Sequence, residues 1–512
     1  ADNRRMWKAL LPLALLLATG DANDCVPYKV DNVTLACVCN STYCDAPPDY
    51  NGQLLEKGVS FWYVTNKQGL RMSMSQKKFE TNQSSTSDVI LNVDTTKRYQ
   101  TIFGFGGSFT DSVGILLKNL SQGTREQMMR TYFDQKTGSR YNLGRIPIAA
   151  SDFSTRPYTY DDVENDTKLE HFALTHEDYD YKIPFAKRAL ELNPETKFFC
   201  AAWTPPTWMK TNGKLNGFGF LKDDCRQIYA NYLVKFLDEY EKNGLKMWAI
   251  TTGNEPTNAL RPNFPLINMG WTPQGVADWV GDYFGPTLAS SKHNGTLILA
   301  LDDNRIALPW YVKPMFTNEK SSKYCAGTAV HWYYDDDQPA VVLDLTHDAY
   351  PDKIIIMTEA SIGTPNVVAK SWANGEKYIL KKTLSFQYMN HWGIAWVNWN
   401  LVVDKVGGPN WIFQNNDGTI IANPSTDEFY KLPMFYAIEH FSRYVERGST
   451  RISITDSDAI KSTAFLTPSN EIVAVLYNRD NSTKRVTLKD SKKGGLSLDL
   501  SPNSMNTIIY KH

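Results

Sequence analysis

MWAITTGNEP, residues 247–256, carries a short apolar run, Met247 to Ile250, into a polar stop that ends in Asn254, Glu255 and Pro256. An apolar run without alternation suits a strand buried on both faces. Glu255 then stands at the carboxyl end of that strand. A single Glu in a loop is most simply a solvated side chain, so the hexapeptide alone decides nothing. What decides is whether the pattern recurs.

It recurs seven more times, at residues 100–104, 142–147, 197–202, 297–301, 327–331, 353–357 and 393–397. Helical stretches separate most of these runs. Residues 223–243 place Tyr229, Tyr232, Leu233 and Phe236 at helical spacing, with Gly244 as the stop, and 273–289 and 370–392 behave similarly. Eight strands alternating with helices predict an α/β chain with a (β/α)8 TIM barrel. An open doubly wound sheet is the alternative, but no Gly-x-Gly-x-x-Gly turn joins a strand to a helix.

The flanks differ. Residues 59–64 alternate, and strand-like runs return at 460–466, 471–478, 484–488 and 505–510. We expect one β-sandwich built from both flanks, 51–96 plus 449–512, around a catalytic barrel at 97–448. A small disulfide-bonded β segment is expected at 23–50, and a signal peptide with a leader at 1–22. That last reading rests on Met6-Trp7-Lys8, an apolar run over 9–18 too short to span a bilayer, and the small residues Ala18 and Gly20.

Composition narrows the function. The net charge is -1 and no Lys/Arg block occurs, which argues against nucleic acid as a partner. Fourteen Trp and 27 Tyr in 512 residues suit either stacking on flat, amphipathic ligands or a large aromatic core. Cys25, Cys37, Cys39 and Cys44 allow three pairings. Closing nearest neighbours favours Cys25–Cys37 and Cys39–Cys44. A zinc site fits less well in a secreted chain with no nearby His. Cys200, Cys225 and Cys325 read as buried thiols. Seven glycosylation sequons, at Asn32, Asn40, Asn82, Asn119, Asn165, Asn294 and Asn481, agree with passage through the secretory route.

On a barrel the site gathers where strands end. Strand four ends in Asn254-Glu255, strand seven in Thr358-Glu359, and strand two leads to Asp152. Strand three delivers Trp203, strand six His331 and Tyr333, and strand eight Trp399. Two carboxyl groups ringed by aromatics suit glycoside hydrolysis: one protonates the leaving oxygen and the other meets the developing cation. Core packing is the plain alternative for Trp203, Trp399 and His331. Asp111, in the glycine-rich GFGGSFTD, reads as structural, since no Gly-Lys-Ser/Thr follows to make a phosphate loop.

TTGNEP, TEAS (358–361), GFGGSFTDS (104–112), WTPPTWMKTNG (203–213), HWYYD (331–335) and WNLVVDKVGGPNW (399–411) resemble the glucosylceramidases of glycoside hydrolase family thirty. The resemblance runs from Cys25 to the C-terminus and includes the cysteine cluster. It implies a retaining β-glucosidase acting on glucosylceramide in membranes, without cofactor or metal. It also implies a lysosomal, lumenal location, peripheral membrane association, and activation by anionic lipid and a saposin C-like protein. It makes Glu255 the acid/base and Glu359 the nucleophile. Asn254 would bond the sugar 2-hydroxyl, and Tyr333 and Arg145 would keep Glu359 ionised. Asp152 and Trp399 would bind outer hydroxyls, Trp203 would line the pocket, and His331 belongs to the substrate-binding set.

The loops at 260–271 and 413–419 follow the family pattern less closely and should border the mouth. Three aromatic stretches are expected to face a membrane: Trp208 with Phe218 and Phe220, residues 264–271, and Tyr333-Tyr334 with residues 411–413. Two rivals stand beside this reading. One is the same barrel acting on a β-xyloside or a β-1,6-glucan. The other is a non-catalytic carbohydrate-binding protein, which loss of either Glu would have favoured.

Overall fold

The computed structural model describes residues 24–30, 33–49, 58–81, 87–362 and 384–512. The expected leader at 1–22 and most of the expected helix at 370–392 lie outside them. Eight parallel strands close into a barrel. They are β1 (Gly104–Ser108), β2 (Leu143–Ile148), β3 (Lys197–Ala202), β4 (Met247–Thr251), β5 (Leu297–Asn304), β6 (Cys325–His331), β7 (Ile354–Glu359) and β8 (Gly393–Asn400).

The first strand departs from the expected 100–104. Residues Val89–Thr101 form a long strand of another sheet. Phe103 turns under the barrel floor, its ring stacked on Trp248 at 4.2 Å. The barrel instead takes the glycine-rich stretch. A Cβ on Gly106 would lie 1.9 Å from the Leu143 carbonyl oxygen, so a side chain there would collide with the neighbouring strand.

Strand alternation builds the barrel interior in layers. Leu143, Phe199, Ala249, Leu299, Ala329, Ile356, Ala395 and Val397 meet as one apolar core. Two residues further along their strands stand Arg145, Thr251, His331, Thr358 and Trp399, all buried. Apolar packing therefore closes the lower barrel, and a polar layer lies above it at the carboxyl ends of the strands.

The nine-stranded second sheet runs in the order Gly494–Leu500, Lys484–Asp490, Val89–Thr101, Thr450–Ile454, Ile460–Leu466, Glu471–Asn478, Ser504–Lys511, Val59–Asn66 and Ser73–Lys78. Leu91, Ile452, Ala474, Leu488, Leu498 and Tyr510 share one core, and Glu80 bridges to Gly495 across the two ends. The sheet thus wraps on itself as a β-sandwich. The helix Pro433–Ser442, buried along its whole length, packs between barrel and sandwich. Cys25 pairs with Cys37 and Cys39 with Cys44, and the strand Val33–Cys39 they flank pairs with Glu428–Lys431. Cys200, Cys225 and Cys325 are buried free thiols.

Candidate active site

A cavity of about 290 Å³ opens at the carboxyl ends of the barrel strands. Asp152, Trp203, Asn254, Glu255, Tyr333 and Glu359 line it, together with Asn258, Arg261 and Phe264 from the loop after β4. Six of the nine residues singled out in the sequence are joined by the contacts that follow, Trp203 and Trp399 stack against Arg145, and Asp152 lines the cavity beside them.

Arg145, fully buried on β2, is the hub. Its Nη1 donates to Glu359 Oε2. Its Nη2 donates to Asn254 Oδ1 at 2.7 Å and to Asp302 Oδ2 at 2.8 Å. The guanidinium lies over the rings of Trp203 and Trp399, 4.9 and 5.3 Å from their centroids. Those rings stack on each other at 5.3 Å. Because Asn254 Oδ1 is taken, its amide N–H groups are left to face the cavity. Among the described residues the buried indole N–H of Trp399 has no hydrogen-bond partner, so it is a donor that a bound hydroxyl could use.

Glu359, at the end of β7, accepts from Tyr333 through the phenol at 2.6 Å on Oε1. Glu255 accepts from His331 Nδ1 at 3.0 Å on Oε1 and from Asn258 Nδ2 at 2.6 Å on Oε2. His331 Nε2 in turn meets Asp302 Oδ1 at 3.0 Å. Burial alone would lower the His331 pKa. Glu359, Asp302 and Glu255 outweigh it and raise the value to about 10, so the ring carries its charge. Asp302 is likewise penalised by burial, yet Arg145 and His331 hold it well below the usual carboxyl range. Asp152 goes the other way: burial first, then the charges of Glu359 and Glu255, push it up to about 8.

Glu255 itself adopts a left-handed backbone, φ 46° and ψ 57°. For a non-glycine residue that costs on the order of 1–3 kcal/mol. Pro256 disfavours the ordinary helical alternative for the residue before it. The Asp302 carbonyl accepts the Glu255 N–H at 2.9 Å and holds the turn. This explains the Asn-Glu-Pro ending: the strand stops, the chain turns sharply, and the carboxyl group is presented over the barrel. One oxygen of Glu255, one of Glu359 and His331 Nδ1 lie within 4.8 Å of one another. That spacing could also suit a cation, but a charged imidazole has no lone pair to offer as a ligand.

Asp302, Asn258, Thr251 and Thr358 belong to this network and were not singled out in the sequence. Asp302 was detectable in principle, as one of two Asp residues ending the apolar strand β5.

Residues 102–445 match the TIM-barrel domain of glycosyl hydrolase family 30, and residues 448–508 match that family's beta sandwich domain. The chain is 36% identical to putative glucosylceramidase 3 of Caenorhabditis elegans, over 99% of each chain. It is 36% identical to the lysosomal acid glucosylceramidase of Mus musculus, over 96% of each. Among solved structures, SrfJ from Salmonella typhimurium superposes with a TM-score of 0.83 at 25% identity, covering 89% of this chain and 100% of that one.

Proposed function

Because the chain belongs to glycosyl hydrolase family 30, and is therefore a glycoside hydrolase, we propose that it is a retaining β-glucosidase that hydrolyses glucosylceramide. The observation that carries the reading is the approach of Glu255 and Glu359, oxygen to oxygen within 4.8 Å. Retaining enzymes hold their carboxyl groups about 5–5.5 Å apart, and inverting ones about 6.5–9.5 Å apart to admit a water.

In the first step Glu359 attacks the anomeric carbon while Glu255 gives its proton to the leaving oxygen. In the second, Glu255 takes a proton from water, whose oxygen displaces Glu359. Arg145 and Tyr333 donate to Glu359 and fix its orientation for the attack. Asn254 offers its amide to the 2-hydroxyl, and Trp399 and Asp152 meet outer hydroxyls above the Trp203 ring. With its raised pKa, Asp152 stays protonated at acid pH and can donate as well as accept.

The aglycone reading extends to the mouth. Phe218 is 54% exposed and Phe413 92% exposed, as suits side chains that dip into an interface. Trp208 and Trp271, expected beside them, are buried instead. The Trp208 indole donates to the Asp161 carbonyl at 2.9 Å, because a bulky ring beneath a loop gains more by filling the core than by facing water. Among the described residues no helix is long and apolar enough to cross a membrane, so the lipid would be met from outside the bilayer. Lysosomal residence, sequon use and activation by anionic lipid with a saposin C-like protein belong to the same proposal. So does a division of the chain near residues 97 and 448 into barrel and sandwich.

Proton NMR of the first-formed sugar tests the mechanism: β-glucose is expected, and α-glucose would overturn double displacement. A 2-deoxy-2-fluoroglucoside should label the parent protein and leave Glu359→Gln unlabelled. Turnover of a β-xyloside or a β-1,6-glucan above that of glucosylceramide would move the substrate assignment.

A further inference from the structure

Asn258 stands on the turn Pro256–Leu260, three residues past Glu255, and lines the cavity. The turn is tied down from two sides. Asn258 N donates to the Glu255 carbonyl at 3.0 Å. Thr257 donates through its N–H and hydroxyl to Asp303 Oδ2, at 3.0 and 2.6 Å. From this fixed base the Asn258 amide reaches Glu255 Oε2 at 2.6 Å, and among the described residues it is the only hydrogen-bond partner of that oxygen.

The two oxygens of Glu255 therefore have partners of different kinds. Oε1 faces His331, which is charged and has no acceptor. A proton on Oε1 would set donor against donor. Oε2 faces a carboxamide, which has a donor edge and an acceptor edge and exchanges them by a half-turn. The other ionisable groups around Glu255 are Glu359 from β7, Arg145 from β2, Asp152 from the loop after β2, Asp302 from β5, Tyr333 from the loop after β6 and Arg261 from its own loop.

We propose that Asn258 is a positioning residue that keeps the catalytic proton on Glu255 Oε2, accepting from it before the glycosidic bond breaks and donating to the same oxygen afterwards. The proposal rests on the reading of Glu255 as the acid/base. In the first step the Oε2–H bond breaks and its proton goes to the glycosidic oxygen. The bond between C1 and that oxygen breaks, and a bond from C1 to Glu359 forms. Glu255 is now a carboxylate, and Asn258 turns its N–H toward Oε2. In the second step water returns a proton to Oε2 while its oxygen bonds C1 and frees Glu359, and the amide turns back. Asn258 gains and loses nothing over the cycle.

The test uses the full-length chain and a series of β-glucosides of graded leaving-group acidity, from dinitrophenyl to alkyl. Asn258→Leu removes both edges at similar volume. Its kcat/KM should fall about 10-fold or more on the alkyl glucoside, the effect of one hydrogen bond to a charged group, and stay near parental on the dinitrophenyl glucoside. Asn258→Asp keeps an acceptor but sets a second carboxyl beside Oε2. Its alkaline limb of kcat/KM against pH should move to higher pH, with leaving-group dependence close to parental. Should the leucine variant fail to fold, Asn258→Ser repeats the first arm. Equal losses across the series, no loss at all, or an alkaline limb that does not rise in Asn258→Asp would each overturn the proposal. Glu255→Ala, run alongside, separates the two layers. If it loses activity steeply on poor leaving groups and Asn258→Leu does not, only the role of Asn258 falls. If it does not, the acid/base reading falls first.

Discussion

Replacing Asp302 by Asn turns one oxygen into NH2 and removes one charge at almost constant volume. The carboxylate takes four donors in a site closed to solvent. Oδ1 accepts from His331 at 3.0 Å and Thr358 at 2.7 Å, and Oδ2 from Arg145 at 2.8 Å and Thr251 at 2.9 Å. An amide has one oxygen. Whichever way it turns, its NH2 faces either His331 or Arg145, and neither cation can accept. Removing one partner from a buried ion pair costs about 3–5 kcal/mol. Arg145 keeps Glu359, so the lower end, about 3 kcal/mol, is the expected loss. Total stabilities of about 5–15 kcal/mol make that large enough to see in urea unfolding followed by tryptophan fluorescence.

The pH dependence of the same variant has a definite sign. The Asp302 pKa is depressed in the folded protein, so its contribution is present in full above the ordinary carboxyl pKa and is lost only as the pH falls toward the folded value. The penalty in Asp302→Asn should therefore be the same at pH 5 and pH 7. His331 is the opposite case. Its raised pKa gives a contribution that is complete below about 6.5 and wanes as the pH rises to about 10. Without Asp302 the folded value falls, so the waning still begins near 6.5 but is complete at lower pH, and activity should fail earlier on the alkaline side. A variant within about 1 kcal/mol of the parent, with an unchanged pH–rate profile, would refute the hub assigned to Asp302.

Three further expectations follow from the same geometry. Asp152 has a raised pKa, so its share of stability is complete below about pH 4 and declines toward pH 8; the melting-temperature gap between parent and Asp152→Asn should shrink over that range, and parallel curves would contradict it. Arg145→Lys keeps the charge but cannot reach Glu359, Asn254 and Asp302 from one planar fork, so kcat should fall by at least about 100-fold with the fold retained, as circular dichroism would check. Phe218→Ser with Phe413→Ser should weaken vesicle binding and turnover of vesicle-borne glucosylceramide while sparing a soluble aryl glucoside; a parallel loss on both substrates would place these rings in pocket construction.

The barrel was legible because buried strands leave a blunt signature. Residues 197–202 were read at their observed limits and the run from Met247 to Ile250 to within one residue of its strand, since their apolar runs stop where the polar layer begins. The strand at 104–108 was not, because its glycines serve a close approach between neighbouring backbones and carry no hydrophobic signal. The C-terminal strands 460–466 and 471–478 were equally plain, whereas Gly494–Leu500 and Thr450–Ile454 hid among polar and small residues. In the site, eight of the nine residues were named by position and chemistry at strand ends, and Arg145 only through the family resemblance. Position alone could not say which touch the cavity. Arg145, His331 and Trp399 turn out fully buried, so in the proposed mechanism the first two would act on a substrate through the Glu side chains they contact.

Asp302 shows where alternation fails. Leu299 points into the barrel core, so strict alternation along β5 would turn Leu301 and then Asp303 inward. Instead Leu301 and Asp302 both take left-handed backbone, at φ 73° and 55°, and the register against β6 slips between Leu301 and Asp303. The extra residue of this bulge exchanges the two acids. Asp302 enters the polar layer between Arg145 and His331, while Asp303 turns out to Thr257 and anchors the turn that carries Asn258. A bulge leaves no mark in composition or periodicity, so a reading by alternation assigns the two aspartates to each other's places. The inversion has a functional consequence. One bulge sets both the charge beneath His331 and the seat of the amide above Glu255, so the two oxygens of Glu255 are governed from adjacent residues of a single strand.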